Sequence, residues 1–354
     1  MKKYGKLLAL LLTLTAGFTL TACGDAGARA EAADESTPQS GNSDESVKLR
    51  IGYHYSAQYQ NQIAVAEAKG YLAEAFEGLN VETEYSGFVG AGPAINEAFL
   101  ADEIDVAVGL GDQPAIAGIA SGNDCVVAAR IIRNTRGSGL VVRYDSEFQT
   151  VSDLKGKTIA VGIGTAGQKN LDLILEDYGL KETDVELVNI MQYDAIVAAF
   201  EDNDIDAAIN SSLAYTEEED AEAHTFRTLE YLDKHPNYAY IVFKKQFVKE
   251  HRDVALKFLA ALYKANDWYY ANVEEGDRIT AEFLELTDGE DFKRVVTGNA
   301  KVELMVDFTE EDVENLRITY DFLKDNEILP NEIEDLSTVY DSSLLKEALA
   351  GLDK

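Results

Sequence analysis

Three glycine-rich turns hold the residues best suited to binding a ligand: Gly90-Ala91-Gly92, Gly111-Asp112-Gln113 and Gly164-Thr165. Each turn follows a predicted β-strand and precedes residues with helical spacing. Glycine allows a close backbone approach, and the start of a helix offers N–H groups and about half a positive charge. Three such helix starts around one cleft would hold a small anionic group, with Thr165 and Gln168 adding polar side chains.

The third turn also fits a dinucleotide-binding motif. Residues 162–167, GIGTAG, match GxGxxG and lie between a predicted strand and a predicted helix. However, the next predicted strand, 185–190, ends without an acidic residue to bind a ribose hydroxyl. We therefore expect neither a nucleotide nor another cofactor, and we interpret the turn as a contact to a small ligand.

Further candidate ligand contacts are His54, Tyr55 and Tyr59, which follow the first predicted strand. Tyrosine offers a stacking surface and a hydroxyl at low entropic cost, although packing of these rings within the fold is an equally open alternative. Arg136 lies in a Gly- and Arg-rich connection and could clamp an acidic group. Balancing of the acidic surface is the alternative role for the arginines of this connection.

The chain shows no pattern typical of catalysis or of a metal site. Its four histidines are scattered without metal-ligand spacing, and neither GxSxG nor CxxC occurs. Cys125 lies in an apolar run and is predicted to be a buried core residue rather than a nucleophile. We therefore expect no catalytic residue, no metal and no enzymatic activity.

Length and charge limit the classes of protein to which this chain could belong. Its 354 residues exceed what one core normally holds, so two lobes are expected. The chain has 31 basic and 64 acidic residues. This balance argues against binding to nucleic acid, and against electrostatic adhesion to anionic lipid. We expect a monomer whose partners are not nucleic acids.

The N-terminus resembles a bacterial lipoprotein signal. Residues 1–22 combine three lysines with an apolar stretch too short to span a bilayer comfortably, and they end in small residues before Cys23. Lipidation of Cys23 would anchor the mature protein outside the cytoplasm on the cell membrane. Residues 23–46 are small, polar and acidic, which predicts a disordered tether. An ordinary secretory signal is the alternative.

The alternation of strands and helices from residue 47 predicts an α/β fold with two doubly wound lobes, a hinge and a cleft between the lobes. Residues 47–133 and 240–354 would form lobe 1, and residues 134–239 would form lobe 2. The spacing predicts one helix over 62–76 and a strand over 104–108. Ligands of such folds bind in the cleft between lobes.

The order and spacing of four segments resemble those of a known family: IGY, AGPAINEAFLADEIDVAVGLGDQPAIAGIASGND, VSDLKGKTIAVGIGTAGQKNLDLILEDYGL and DAIVAAFEDNDIDAAI. They are similar to the substrate-binding lipoproteins of ABC importers, of the sulfonate, taurine and nitrate type. The resemblance implies a type II periplasmic-binding-protein fold and delivery of a solute to an ABC permease and its ATPase. In that family the turns matching 90–92, 111–113 and 164–165 line the cleft, together with the loop after the first strand.

One segment departs from the family pattern. Asn210, Ser211 and Tyr215 occupy a stretch where many members have a Trp-x-Pro-aromatic run. We therefore keep two ligand classes open: a small organic anion captured by lobe closure, or an aromatic or heterocyclic vitamin or pyrimidine precursor. An enzyme on the same fold is the less favoured alternative.

Overall fold

We describe residues 46–55, 60–134, 139–210, 225–286 and 302–352 of a computed structural model. The strands are β1 (Val47–His54), β2 (Val81–Phe88), β3 (Val106–Gly111), β4 (Cys125–Asn134), β5 (Gly139–Arg143), β6 (Thr158–Val161), β7 (Glu186–Asn189), β8 (Ala207–Ile209), β9 (Phe226–Tyr231), β10 (Asn237–Lys244) and β11 (Glu303–Asp307). The helices are α1 (Asn61–Ala68), α2 (Tyr71–Ala75), α3 (Ala91–Leu100), α4 (Asp112–Ala120), α5 (Ala166–Asp177), α6 (Tyr193–Glu201), α7 (Lys245–Glu250), α8 (Arg252–Ala271), α9 (Val273–Phe283), α10 (Glu310–Asp325) and α11 (Ser342–Ala350).

The first sheet has the strand order β11-β4-β10-β3-β1-β2. Strand β1 pairs in parallel with β2 and β3, whereas β10 lies antiparallel between β3 and β4. One apolar cluster packs α1, α8 and α11 on the sheet, and another packs α3, α4 and α10. Helices on both faces explain why the central strands β3 and β10 are buried along nearly their whole length.

The second sheet has the order β7-β6-β8-β5-β9 and is built from the chain between β4 and β10. Strand β6 is parallel to β7 and β8, and β5 is antiparallel to its neighbours β8 and β9. Two separate clusters fill its faces: one contains Ile174 of α5, and the other contains Ile196 of α6. The predicted α/β fold class is confirmed. The lobe boundaries at residues 133 and 240 remain a prediction.

Two boundaries differ from the expected ones because of single glycines. The helix expected over 62–76 is divided into α1 and α2, since Gly70 adopts a left-handed conformation with φ 71°. The strand expected over 104–108 instead runs from Val106 to Gly111. Gly109, with φ 89°, lies where the register between β3 and β10 shifts, and the bulge lets pairing resume at Leu110.

Candidate functional site

The starts of α3, α4 and α5 lie next to one another. A Cβ atom added to Gly164, before α5, would be 3.2 Å from Cγ of Pro93 in the first turn of α3. A Cβ atom on Gly111, before α4, would be 3.2 Å from Cβ of Ala166, the first residue of α5. The three turns singled out from the sequence are therefore brought together. Contact of these residues with a ligand remains a prediction.

The first two residues of α3 are buried, and its first turn has no side-chain cap. Ala91 has φ 52°, an uncommon left-handed conformation for a residue with a side chain, and is 5% exposed. The N-cap residue Gly90 has no side chain to offer, and the N–H groups of Ala91 and Gly92 have no acceptor among the described residues. Buried N–H groups normally have partners. This turn is therefore the strongest candidate for holding a ligand oxygen.

The first turn of α4 is occupied by its own side chains and by α5. Asp112 Oδ1 accepts a hydrogen bond from the N–H of Gln113 at 2.7 Å. Gln113 Oε1 accepts one from the N–H of Lys169 at 3.0 Å, and the Lys169 ammonium donates to Asp112 Oδ2. Asp112 and Gln113 are almost completely buried. Both candidate side chains therefore link α4 to α5.

The start of α5 is also capped from within. Gln168 Oε1 accepts a hydrogen bond from the N–H of Gly164 at 2.8 Å, while Gln168 Nε2 donates to Glu182 at 3.1 Å. Thr165 Oγ1 accepts from the N–H of Gly167 at 3.2 Å. A ligand oxygen at the Gly164 N–H would have to displace the Gln168 carboxamide.

Tyr53 and Tyr55, at the C-terminal end of β1, contact the end of α9. Burial lowers the pKa of His54 to about 4, so its imidazole is neutral near pH 7. The Tyr55 hydroxyl donates to the backbone carbonyl of Leu284, just after α9. The ring centroids of Tyr53 and Phe283 are 5.2 Å apart. Tyr53 and Tyr55 therefore use part of their surface for packing, and the Tyr55 ring remains 38% exposed.

Asn210, just after β8, donates from Nδ2 to the carbonyl of Met191 at 3.3 Å. This contact orients its side chain towards the segment after β7. Several other predicted functional residues lie outside the described part of the chain: Cys23, Tyr59, Arg136, Ser211 and Tyr215.

Sequence reasoning missed two buried ion pairs near these turns. Lys169, 2% exposed, pairs with Asp112 across 57 residues of chain. Arg130, 3% exposed, lies 3.3 Å from Asp312 Oδ1, and its guanidinium carbon is 5.5 Å from the centroid of the Tyr238 ring. Neither pair has a characteristic spacing in the sequence, because each joins different elements of the fold.

The prediction that Cys125 is a core residue is confirmed. Cys125 is 2% exposed, and burial raises the pKa of its thiol to about 12. Its thiol therefore has little thiolate character near pH 7.

Among the described ranges, no group of three or more His, Cys, Asp or Glu residues could hold a metal ion. None of the helices described here is long and apolar enough to cross a membrane.

A comparison with protein families matches residues 58–276 to the sequence profile described as NMT1/THI5 like. This match covers more than half of the chain and includes the starts of α3, α4 and α5. The chain therefore belongs to the NMT1/THI5-like family, and the resemblance noted from its sequence is confirmed.

A putative aliphatic sulfonates-binding protein of Bacillus subtilis (strain 168) is 27% identical over 344 residues, covering 96% of both chains. The structure of the alkanesulfonate-binding protein SsuA from Xanthomonas axonopodis pv. citri, bound to MOPS, matches with a TM-score of 0.70. It is 19% identical, and the match covers 83% of this chain and 98% of that chain. The desulfurization enzyme DSZB matches with a TM-score of 0.63 at 15% identity, covering 86% of this chain and 99% of that chain. Binding proteins and at least one enzyme therefore share this fold.

Proposed function

We propose that the protein is the solute-binding component of an ABC importer and captures a small organic anion of the sulfonate, taurine or nitrate type. The observation that supports this function most directly is the first turn of α3, where the N–H groups of the buried residues Ala91 and Gly92 have no acceptor among the described residues. An anionic oxygen would accept these hydrogen bonds and benefit from the positive ends of the adjacent helices.

The surroundings of the turns suit a ligand that has an organic part as well as an acidic group. Val89, just before α3, is 54% exposed, and Ile163, in the turn before α5, is 46% exposed. Exposed side chains of this size gain free energy when a ligand covers them. We infer that the anionic group binds at the helix starts and that the organic part contacts Val89 and Ile163.

Capture would proceed by closure of two lobes around the ligand. The turn before α5 belongs to the part of the chain that carries the second sheet, whereas α3 and α4 pack on the first sheet. A ligand that contacts residues of both lobes stabilises the closed form, because only in that form can both lobes contact it at once. We propose that the closed form delivers the bound solute to an ABC permease and its ATPase.

Family membership and the sulfonate-binding relatives support binding without chemical change. The fold alone does not decide between binding and catalysis, since the desulfurization enzyme shares it. We further propose that the protein acts as a monomer outside the cytoplasm, anchored to the cell membrane through lipidated Cys23.

Thermal unfolding with a small panel of ligands tests the ligand class. We expect ethanesulfonate, taurine or MOPS to stabilise the fold by about 2.7 kcal/mol at a hundred times the dissociation constant. Ethanesulfonamide, which is neutral, and sodium chloride at equal ionic strength serve as controls and should not stabilise it. Stabilisation by an aminopyrimidine but by no sulfonate would favour the vitamin-precursor alternative, and turnover of a bound compound would contradict the binding role.

A further inference from the structure

A buried ion pair joins the first turns of α4 and α5. Lys169 is the fourth residue of α5, and its ammonium donates a hydrogen bond to Oδ2 of Asp112, the first residue of α4. The two side chains are 2% and 0% exposed. The pair thus connects a helix of the first sheet to a helix of the second, at the turns proposed to hold the ligand.

The other described groups that form hydrogen bonds with the side chains of this pair are uncharged. Asn315 Nδ2 and Thr319 Oγ1, both on α10, donate to Asp112 Oδ2 at 3.1 and 3.3 Å. Thr319 Oγ1 also accepts from Lys169 Nζ at 3.2 Å. Within the described ranges, Lys169 is the basic residue that forms an ion pair with Asp112. Loss of the ammonium would leave a buried carboxylate with neutral partners only.

The position of Asp112 makes its charge important for ligand binding. A carboxylate in the first turn of a helix interacts favourably with the positive end of that helix. The same interaction reduces the positive potential that the helix start can offer to a second anion. An uncompensated Asp112 would therefore oppose the binding of an anionic solute, whereas the adjacent ammonium of Lys169 cancels its charge.

We propose that Lys169 is a positioning residue that sets the sign of the charge accepted at the helix starts, by compensating Asp112 and holding α5 against α4. This inference rests on the proposed capture of an organic anion and extends it to the basis of charge selectivity. Lys169 acts through Asp112 and Gln113, whose Oε1 accepts from the Lys169 N–H, so direct contact with the solute is not required.

The test compares ethanesulfonate binding by calorimetry to the full-length chain and to K169M, D112N and K169M/D112N. We expect the affinity of K169M for ethanesulfonate to be at least about tenfold lower than that of the wild type, because one uncompensated negative charge near the ligand opposes its binding. D112N should bind at least as tightly as the wild type, and the double variant should recover to within about threefold. Urea unfolding of each variant separates loss of affinity from loss of stability, because the inference requires K169M to bind weakly under conditions in which it is fully folded.

Three outcomes would overturn the inference. They are K169M binding within twofold of the wild type, a double variant as weak as K169M, and a tenfold loss of affinity in D112N. If K169M does not fold, D112N and the double variant decide the question: the uncompensated ammonium of D112N should make it bind ethanesulfonate more tightly than the uncharged double variant, and equal or weaker binding by D112N would overturn the inference. A wild-type protein that binds no sulfonate would contradict the proposed function itself, and with it this inference, whereas the three outcomes above contradict the inference alone.

Discussion

Asp172, on α5, has a buried carboxyl group in an acidic environment. It is 7% exposed, and its Oδ1 has no hydrogen-bond partner among the residues that the structure describes. Burial, together with the nearby negative charges of Glu182 and Glu176, raises the pKa of Asp172 to about 8. The folded protein therefore keeps a proton on this group at neutral pH, whereas the unfolded chain loses that proton above about pH 4.

This difference predicts that D172N stabilises the protein at neutral pH. Because the pKa is higher in the folded state, the wild type loses stability as pH rises from about 4 to about 8. The carboxamide introduced by the substitution stays neutral, so we expect D172N to be more stable by about 1–3 kcal/mol at pH 7.5, with a smaller gain at pH 5.5. Urea unfolding at the two pH values measures this effect, with the exposed E186Q as a control. A gain independent of pH would contradict the assigned protonation.

At the scale of elements, the closest contact at the candidate site is between α3 and α4. A Cβ atom on Gly92 would lie 2.4 Å from Cβ and Cγ of Pro114. Pro114 is itself in the first turn of α4, where its missing N–H costs nothing. The absence of a side chain at Gly92 thus allows the starts of α3 and α4 to approach each other closely.

G92A should therefore destabilise the fold and weaken ligand binding. We expect a loss of about 1–3 kcal/mol in the free energy of unfolding, because Pro114 is part of a stiff ring and cannot turn away. G167A, in the first turn of α5, is the matched control. Its Cβ would meet side-chain atoms of Thr165 and Ile209 at 3.2 and 3.4 Å, so its effect should stay below about 1 kcal/mol. Equal losses in the two variants, measured by urea unfolding, would show that this packing argument is wrong.

At the scale of the whole molecule, the formal charge of −33 makes retention on anionic lipid by electrostatics unfavourable. Retention at a membrane would then depend on a covalent anchor. The chain has two cysteines, Cys23 in the predicted lipoprotein signal and Cys125 in the core of the first sheet.

The two cysteines provide a direct test of the anchor. We expect C23A to appear in the soluble fraction after expression in a bacterial host and washing of the membranes, because stable retention requires the acyl chains. C125A should remain with the membranes, since its thiol is buried and takes no part in anchoring. Immunoblotting of the two fractions measures the distribution. A C23A variant that stays with the membranes after washing would contradict lipidation at Cys23.

Much of the fold could be predicted because its signals are local. The apolar runs of the central strands and the glycines before α3, α4 and α5 indicate strand–turn–helix units within a few residues of sequence. Strands β9 and β11 were not anticipated. Strand β9 is half-buried and includes charged residues, and β11 is a five-residue edge strand. Neither has a strong pattern of apolar residues that would predict it from the sequence. Pairing of β9 with β5 and of β11 with β4 stabilises them.

By itself, the sequence determined the α/β class, the three glycine-led helix starts and the family, because backbone conformation and apolar periodicity depend on neighbouring residues. Only the tertiary structure decided that Asp112 and Gln113 pair with Lys169 while the N–H groups of Ala91 and Gly92 remain without a described acceptor. Such pairings depend on how separate helices pack on two sheets, and side chains 57 residues apart meet only when that packing is complete.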